Sequence, residues 1–381
     1  MTRVAIIYDS LFPINAGGGE RVYRRIAELL IERGYEVDYL TRRQWEGTAP
    51  ETSFAVVPLW EGEIYDRTGS RTIWSAARFA WSVFRMLIKR RNHYDLVISS
   101  ALPVLTLLAA KAALVGTRSF LIGDWLELWT WRKSRDYSGP IAGTLAFLLQ
   151  RVAVGVSDFN TADSAFTANR VASVRPQPAP LVHGLVDLVA HTVKSKTPSE
   201  PPYILFVGRL IHDKRVAIIP AALLEAQRSI AGLRALIVGT GPEHDAIASE
   251  VARLGLNESC ELLGRVTDLD LQTLFSGALA LVNPSAREGF GLVVAEAAAF
   301  GVPSIVVAGE DNAATDLILP GVNGYIAETA DGVAISACVV AVYKGGETLR
   351  SSTADWFAEA RESSGLAASV DAMLERYVEA R

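Results

Sequence analysis

Two carboxylates, Glu288 and Glu296, with seven residues between them, bracket the turn Gly289-Phe290-Gly291-Leu292. The apolar run Ala278–Val282 before them reads as a strand, and the alanine-rich run after Gly291 reads as a helix. The first turn of a helix has backbone N–H groups without intrahelical partners and carries positive dipole charge, which suits a phosphate. A carboxylate does not bind phosphate; it accepts hydrogen bonds from hydroxyls. Hydroxyl-seeking side chains on either side of phosphate-seeking backbone fit a ligand with polyols flanking a diphosphate. That is the chemistry of a nucleotide sugar. Taken alone, the two acids fit an ordinary surface helix equally well, so the surrounding motifs have to decide.

Upstream, the strand-like run Tyr203–Val207 leads into Gly208-Arg209-Leu210 and then Lys214. Gly208 lets the backbone approach a ligand closely. Arg209 can make bidentate bonds to phosphate oxygens and Lys214 can supply a mobile point charge. In isolation such a pair is usually a pair of solvated loop charges. Further glycine turns occur at Ile237–Pro242, at Leu263-Gly264-Arg265-Val266 and at Gly321-Val322-Asn323-Gly324, with Asp311-Asn312-Ala313-Ala314 between the last two.

Spaced in this way, these motifs resemble the retaining glycosyltransferase family 4, the group 1 glycosyl transferases. That family has the GT-B fold: an α/β architecture of two Rossmann-like doubly wound domains facing across a cleft. The likeness extends over nearly all of the second half of the chain. It departs at Arg215, where the family usually has Gly, and at Asp316, where many members have Glu. It implies donor contacts from Gly208, Arg209, Lys214, the main chain at Val266, Glu288, Gly289, Phe290, Gly291, Leu292 and Glu296. In the first half, Ala16-Gly17-Gly18-Gly19-Glu20-Arg21-Val22 resembles the family's N-terminal glycine-rich loop, which implies that Gly17 and Gly18 close over the donor diphosphate. The resemblance further implies transfer with retention by a front-face displacement, with Arg209, Lys214 and Glu288 in the catalytic set. It implies no metal and no cofactor, the nucleoside-diphosphate sugar being a co-substrate. Many relatives carry a His in the loop after the strand equivalent to Ser119–Ile122. Here the chain reads Leu121-Ile122-Gly123-Asp124, so Asp124 is the nearest polar substitute, expected as a loop acid that either positions the acceptor hydroxyl or meets only water.

These residues need two frames to hold them. At 381 residues, half of them hydrophobic, the chain can bury two cores. Strands at Val4–Tyr8, Tyr35–Leu40, Asp95–Ser99 and Ser119–Ile122 alternate with helices, beginning with an amphipathic Glu20–Arg33. The second half repeats the alternation at Tyr203–Val207, Arg234–Val238, Cys260–Leu263, Ala278–Val282 and Ser304–Val307. Such order implies parallel sheets with ligands at the strands' carboxyl ends. The expected division is an acceptor domain over 1–190, completed by a returning helix at 355–381, and a donor domain over 191–354. The Pro-, Ser- and Lys-rich stretches Pro176–Pro180 and Lys194–Pro202 read as the connection.

Composition excludes several classes. A net charge of −5 gives no whole-chain case for nucleic acid, and 30 Arg against 7 Lys reflects base composition more readily than function. Cys260 and Cys338 have neither metal spacing nor a disulfide framework. The opening run has no signal-peptide pattern, and Ala101–Val115, broken by Lys111, is too short to span a bilayer. A cytoplasmic protein is the expectation. A nicotinamide-binding reading fails because the GxGxxG register ends on Val22 from Gly17 and on His244 from Gly239.

Seven of the eight tryptophans lie in the first half, where core packing is expected to take at least half of them. No Asp or Glu occurs between Asp66 and Asp95. As a helix, this stretch puts Arg71, Trp74, Arg78, Trp81, Arg85 and Lys89 in one sector, with Phe79, Val83, Met86 and Leu87 opposite. An outward face of this kind suits anionic headgroups, hence an expected peripheral contact with the inner membrane face and a lipid-linked acceptor; a solvated basic face is the plainer reading. Other acceptors, a glycan or a natural product, stay open. The rival functions are a GT-B phosphorylase, disfavoured by the lack of any pyridoxal site, and a non-catalytic nucleotide-sugar-binding partner.

Overall fold

A computed structural model describes residues 2–15, 17–64, 71–188, 197–363 and 365–381. The chain forms two α/β units: the first takes the described residues up to Leu188 together with 365–381, and the second takes 197–363. The expected connection falls partly outside the described residues, at Lys194–Lys196.

In the first unit the order is β1 (Arg3–Ile7), α1 (Gly18–Glu32), β2 (Glu36–Arg43), β3 (Ala55–Glu61), α2 (Ile73–Lys89), β4 (Leu96–Ser100) and α3 (Val104–Leu114). Then follow β5 (Phe120–Trp125), α4 (Trp131–Ser138), α5 (Pro140–Val156), β6 (Phe159–Ala162), α6 (Ala165–Val174) and β7 (Leu181–Val182). The seven strands are all parallel in the order 3-2-1-4-5-6-7. The order reverses at β1, and right-handed crossovers then put α1 on one face and α2, α3, α5 and α6 on the other. Helix α1 buries Val22, Tyr23, Ile26, Leu29 and Leu30, one stripe at helical spacing, and stops where Gly34 takes φ 81°. Phe79, Val83 and Leu87 of α2, Leu107 and Ala110 of α3, and Ala153 and Val154 of α5 pack over Ala5, Ile7 and Val97.

The second unit runs β8 (Tyr203–Val207), α7 (Ile219–Ala226), β9 (Arg234–Val238), α8 (His244–Arg253), β10 (Cys260–Gly264), α9 (Asp268–Gly277) and β11 (Ala280–Asn283). It continues through β12 (Arg287–Glu288), α10 (Leu292–Ala299), β13 (Ser304–Val307), β14 (Asp311–Asn312), β15 (Gly324–Ala327) and α11 (Gly332–Ser363). Its six-stranded parallel sheet has the order 10-9-8-11-13-15, with the reversal at β8. Each unit is thus doubly wound in the Rossmann manner.

The tail differs from the single helix expected from Asp355. Helix α11 kinks at Gly346 and ends at Ser363, and α12 (Leu366–Glu379) starts afresh from an extended Gly365. Two serines and a glycine in succession are weak helix formers, which explains the break. Helix α12 packs on α1 and β7 of the first unit, burying Leu366, Val370, Met373, Leu374 and Tyr377. Arg33 holds Asp371 there, with one bond of 2.8 Å, and Arg381 pairs with Asp95.

Candidate functional site

In the second unit the strand order reverses between β8 and β11, so the segments leaving their carboxyl ends lie side by side at the switch point. These are Gly208–Lys214 and the turn from Pro284 to Gly291. Gly208 is held from behind by main chain: its N–H donates to Val238 O at 3.0 Å, and a Cβ on Gly239 would stand 1.7 Å from its carbonyl oxygen. Leu210 N donates to Thr240 O, and a Cβ on Gly241 would lie 2.3 Å from Leu210 O. The glycines of the β9 turn therefore serve backbone contact.

The loop then brings Lys214 onto Glu288, with Nζ 2.5 Å from Oε1. The same carboxylate oxygen accepts from Ser285 Oγ at 2.8 Å and Asn283 Nδ2 at 3.1 Å. Burial works against the charged form of Glu288, but Lys214, Ser285 and Asn283 outweigh it and hold its pKa below the usual Glu value. Next to it, Arg287 pairs with Asp213 at 3.0 Å, Ala286 N donates to Asp213 O, and β12 pairs with β14. The turn is thus tied to the β8 loop at three points.

Gly291 caps α10 in the left-handed region, φ 96°, and a Cβ there would meet Ala314 Cβ at 2.7 Å. Only glycine fits the chain's entry into this helix. Gly289, Phe290, Gly291 and Leu292 form that entry, so the N–H groups of the first turn follow directly on Glu288. Glu296 lies over a turn further on and is half-buried. Arg209 is exposed on the β8 loop, and Val266 is half-buried between β10 and α9. The departure at Arg215 leaves the turn as a glycine would have it, because Arg215 itself adopts φ 50°, ψ 33°.

The first unit has a second polar centre at its carboxyl edge. Gly17 caps α1, and Gly18 and Gly19 form its first turn; a Cβ on Gly19 would come within 2.9 Å of Tyr8 Oη. Tyr8 stacks on Tyr23, ring centroids 4.4 Å apart, and Tyr23 donates to Asp124. Asp124 is no loop acid. It is the penultimate residue of β5, fully buried, and it also accepts from Thr161 and faces His183 Nε2 at 2.8 Å. Asp163 is buried beside them, and its Oδ1 and His183 Nδ1 have no hydrogen-bond partner among the described residues. Desolvation works against charge on both Asp124 and His183, yet each favours the charged form of the other. The Asp124 pKa is lowered and that of His183 raised. Burial, and then the Asp124 charge, push the Asp163 pKa well above the usual Asp range. Asp124, Asp163 and His183 offer ligand atoms within 4.8 Å of one another, close enough for a cation. The direct Asp124–His183 bond makes a shared proton the simpler content.

Sequence reasoning missed Tyr23, Thr161, Asp163 and His183. A topological signal existed: Asp124, Thr161, Asp163 and His183 all sit at the carboxyl ends of the neighbouring strands β5, β6 and β7. Gly123, next to Asp124 on β5, is closely packed: a Cβ there would lie 2.9 Å from Leu107 Cδ2 and 3.1 Å from Asn160 Oδ1.

On α2 the expected inward set holds for Phe79, Val83 and Leu87, with Met86 half-buried. Trp74, Arg78, Trp81, Arg85 and Lys89 face outward. Arg71 does not belong with them: it precedes the helix and pairs with the buried Asp9. The tryptophans are less internal than expected. Of the seven in the first half only Trp125 is fully buried, while Trp74, Trp81 and Trp131 are exposed.

Residues 190–353 match the family described as glycosyl transferases group 1, and residues 17–185 match the glycosyl transferase 4-like domain. A glycogen synthase from Mycobacterium tuberculosis is 30% identical over 142 residues, 37% of this chain and 34% of its own length. A D-inositol 3-phosphate glycosyltransferase from Mycobacterium bovis is 34% identical over 117 residues, 29% of this chain and 23% of its own. The matched stretch thus spans about a third or less of these relatives. Among solved structures, sucrose-phosphate synthase from Thermosynechococcus elongatus superposes with a TM-score of 0.79 at 17% identity, over 100% of this chain and 99% of that one. Anabaena HepE in complex with UDP-glucose gives 0.70 at 15% identity, over all of both chains. At these identities the likeness is one of fold, and the fold is GT-B.

Proposed function

The chain belongs to the group 1 glycosyl transferases with a 4-like first domain, and from that premise we propose that it moves a sugar from a nucleoside-diphosphate donor to an acceptor hydroxyl with retention. The observation that carries the reading is the Lys214–Glu288 contact at the entry to α10. A cation, a carboxylate and a helix N-terminus meet in a few residues, the combination that a diphosphate joined to a polyol requires. The part-buried Lys214–Glu288 pair is ready for exchange: a phosphate oxygen can take Lys214, and a sugar hydroxyl can take the freed carboxylate. Arg209 adds a second cation, Glu296 accepts from further hydroxyls, and main chain near Val266 meets the base.

In the displacement, the bond from the anomeric carbon to the diphosphate oxygen breaks as a bond to the acceptor oxygen forms on the same face. The acceptor proton passes to the departing phosphate oxygen. Lys214, Arg209 and the N–H groups at Gly291 and Leu292 carry the developing negative charge, so the step needs no metal in this reading. Asp124 is proposed to position the acceptor side through its neighbours, since its own carboxylate is occupied by Tyr23, Thr161 and His183.

A thermal-shift screen with UDP-, GDP-, ADP- and TDP-sugars tests the donor. A ligand that binds only the folded state stabilises it by about 2.7 kcal/mol at a hundredfold excess over its Kd. One nucleotide sugar is expected to raise the melting temperature, with the shift lost in Arg209→Ala and Glu296→Ala. That sugar should also be hydrolysed slowly in EDTA without acceptor. Binding with no hydrolysis and no transfer would instead make the chain a nucleotide-sugar-binding partner of another enzyme.

A further inference from the structure

The exposed apolar side chains of the first unit are not scattered. On α5, Ile141, Leu145, Leu148 and Val152 are each more than half exposed. Their spacing of four, three and four residues puts them in a sector of about 60° on one side of the helix, in a stripe roughly 16 Å long. The opposite side, with Gly143, Gln150, Ala153 and Val154, is buried. Exposed aliphatic stripes of this kind mark a surface that binds something.

The surroundings of the stripe identify the occupant. Helix α4 lies against α5 at a backbone crossing: a Cβ on Gly143 would stand 2.2 Å from Ser134 O. It brings exposed Trp131 and Arg132, with the Arg135 guanidinium 4.3 Å over the Trp131 ring. The start of α2 is fastened to the same helix, because Arg71 N donates to Tyr137 Oη at 3.1 Å. Helices α2, α3 and α5 are neighbours in one layer, so the outward Trp74 and Trp81 with Arg78, Arg85 and Lys89 belong to the same side of the unit as the stripe. Between residues 67 and 157 the chain has 13 Lys and Arg against 4 Asp and Glu, in a protein whose net charge is −5. Of those four acids Asp124 is fully buried, Asp95 pairs with Arg381, and Asp136 is the one exposed on α4. Aliphatics with amphipathic tryptophans, edged by cations and almost free of acids, match the boundary between acyl chains and anionic headgroups. A protein partner would need acids opposite the arginines and a cavity for the stripe; a bilayer supplies both charge and apolar depth without shape.

We infer that the α2 and α4–α5 side of the first unit docks on an anionic phospholipid bilayer, with the α5 stripe inserting and the α2 and α4 cations on the headgroups. The docking is independent of turnover. Its corollary, that the acceptor is lipid-linked and taken up at the membrane surface, rests on the transferase reading.

The test is flotation of the full chain with vesicles of phosphatidylcholine alone and with half phosphatidylglycerol. Binding only to the anionic vesicles is expected, weakening as salt rises. Leu145→Glu with Leu148→Glu should lower the bound fraction at least tenfold, as should Arg78→Glu with Arg85→Glu. Val333→Glu, an exposed apolar position on the second unit, should leave binding unchanged. Trp74→Ala, a milder change, should weaken binding severalfold and guards against misfolding in the double variants. Absence of binding to anionic vesicles overturns the inference, as does binding indifferent to both Leu145/Leu148 and Trp74. A solution dimer that the Leu145/Leu148 change dissociates, without vesicle binding, assigns the stripe to a second copy and also overturns it. None of these outcomes touches the donor screen, so the two proposals fail separately.

Discussion

His183 is one of five histidines, and nothing near it in sequence marks it as special. Its importance comes from where β7 ends: against a fully buried Asp124, with both side chains shielded from bulk solvent. Partners of this kind write their protonation into stability. The folded-state pKa of His183 is raised above its ordinary value near 6.5, so its contribution is complete below pH 6.5 and is lost as pH rises through the folded value. The raised Asp163 pKa acts with the same sign from a lower starting pH. The Asp124 shift has the opposite sense and is lost only in acid, below its ordinary range. The unfolding free energy, and with it the melting temperature, is therefore expected to fall as pH rises above about 6.5, the free energy by at most about 1.4 kcal/mol per pH unit for one proton. His183→Asn should make that slope shallower, measured by calorimetry across pH 6 to 9. A slope unchanged in the variant would show that His183 is neutral in the folded protein. Glu288 presents the simpler case, since its cation, Lys214, sits in a motif visible in sequence. The pairing was legible there as two separate ligand groups; that they bind each other needed coordinates.

At the scale of elements, local sequence rules account for most of what is seen. Gly34 ends α1, Thr72 caps α2 by accepting from Ser75 N, and Thr267 caps α9 by accepting from Asp270 N. The alternation of strands and helices was legible because both sheets are parallel and buried, which writes strands as short apolar runs. Arg215 shows where such rules stop. A side chain at φ 50° costs about 1–2 kcal/mol, and glycine returns part of this as unfolded-state entropy. Arg215→Gly should therefore raise the unfolding free energy of the second unit by roughly 0.5 kcal/mol in urea melts. A clear loss of stability would mean that the guanidinium makes a contribution larger than the strain. What sequence could not give was long-range pairing. Arg71 was read as part of the α2 face, yet Asp9, 62 positions away, takes it. Asp124 was read as a loop acid because its strand was ended at Ile122; β5 runs on to Trp125, where neighbouring strands enclose it.

At the scale of the molecule, each unit has its own parallel sheet and core, but the chain does not visit them one after the other. Helix α12 buries five apolar side chains in the first unit, at about 1.5–3 kcal/mol each. That sum matches the whole stability of a typical domain, about 5–15 kcal/mol. A chain ended after Ser363 is accordingly expected to lose the melting transition of the first unit and keep that of the second, seen as one calorimetric peak in place of two. Two surviving peaks would make α12 an accessory. The helix also sets an order of events during synthesis. Domains commonly fold as they leave the ribosome, the N-terminal one first. Here the first unit to be translated is the last that can be finished. Its α1 and β7 surfaces wait uncovered while some two hundred further residues are added, and they close only when α12 has cleared the exit tunnel. A stop codon or ribosomal stall anywhere in the second unit therefore leaves the first one open as well, its α1 and β7 faces still without the helix that covers them.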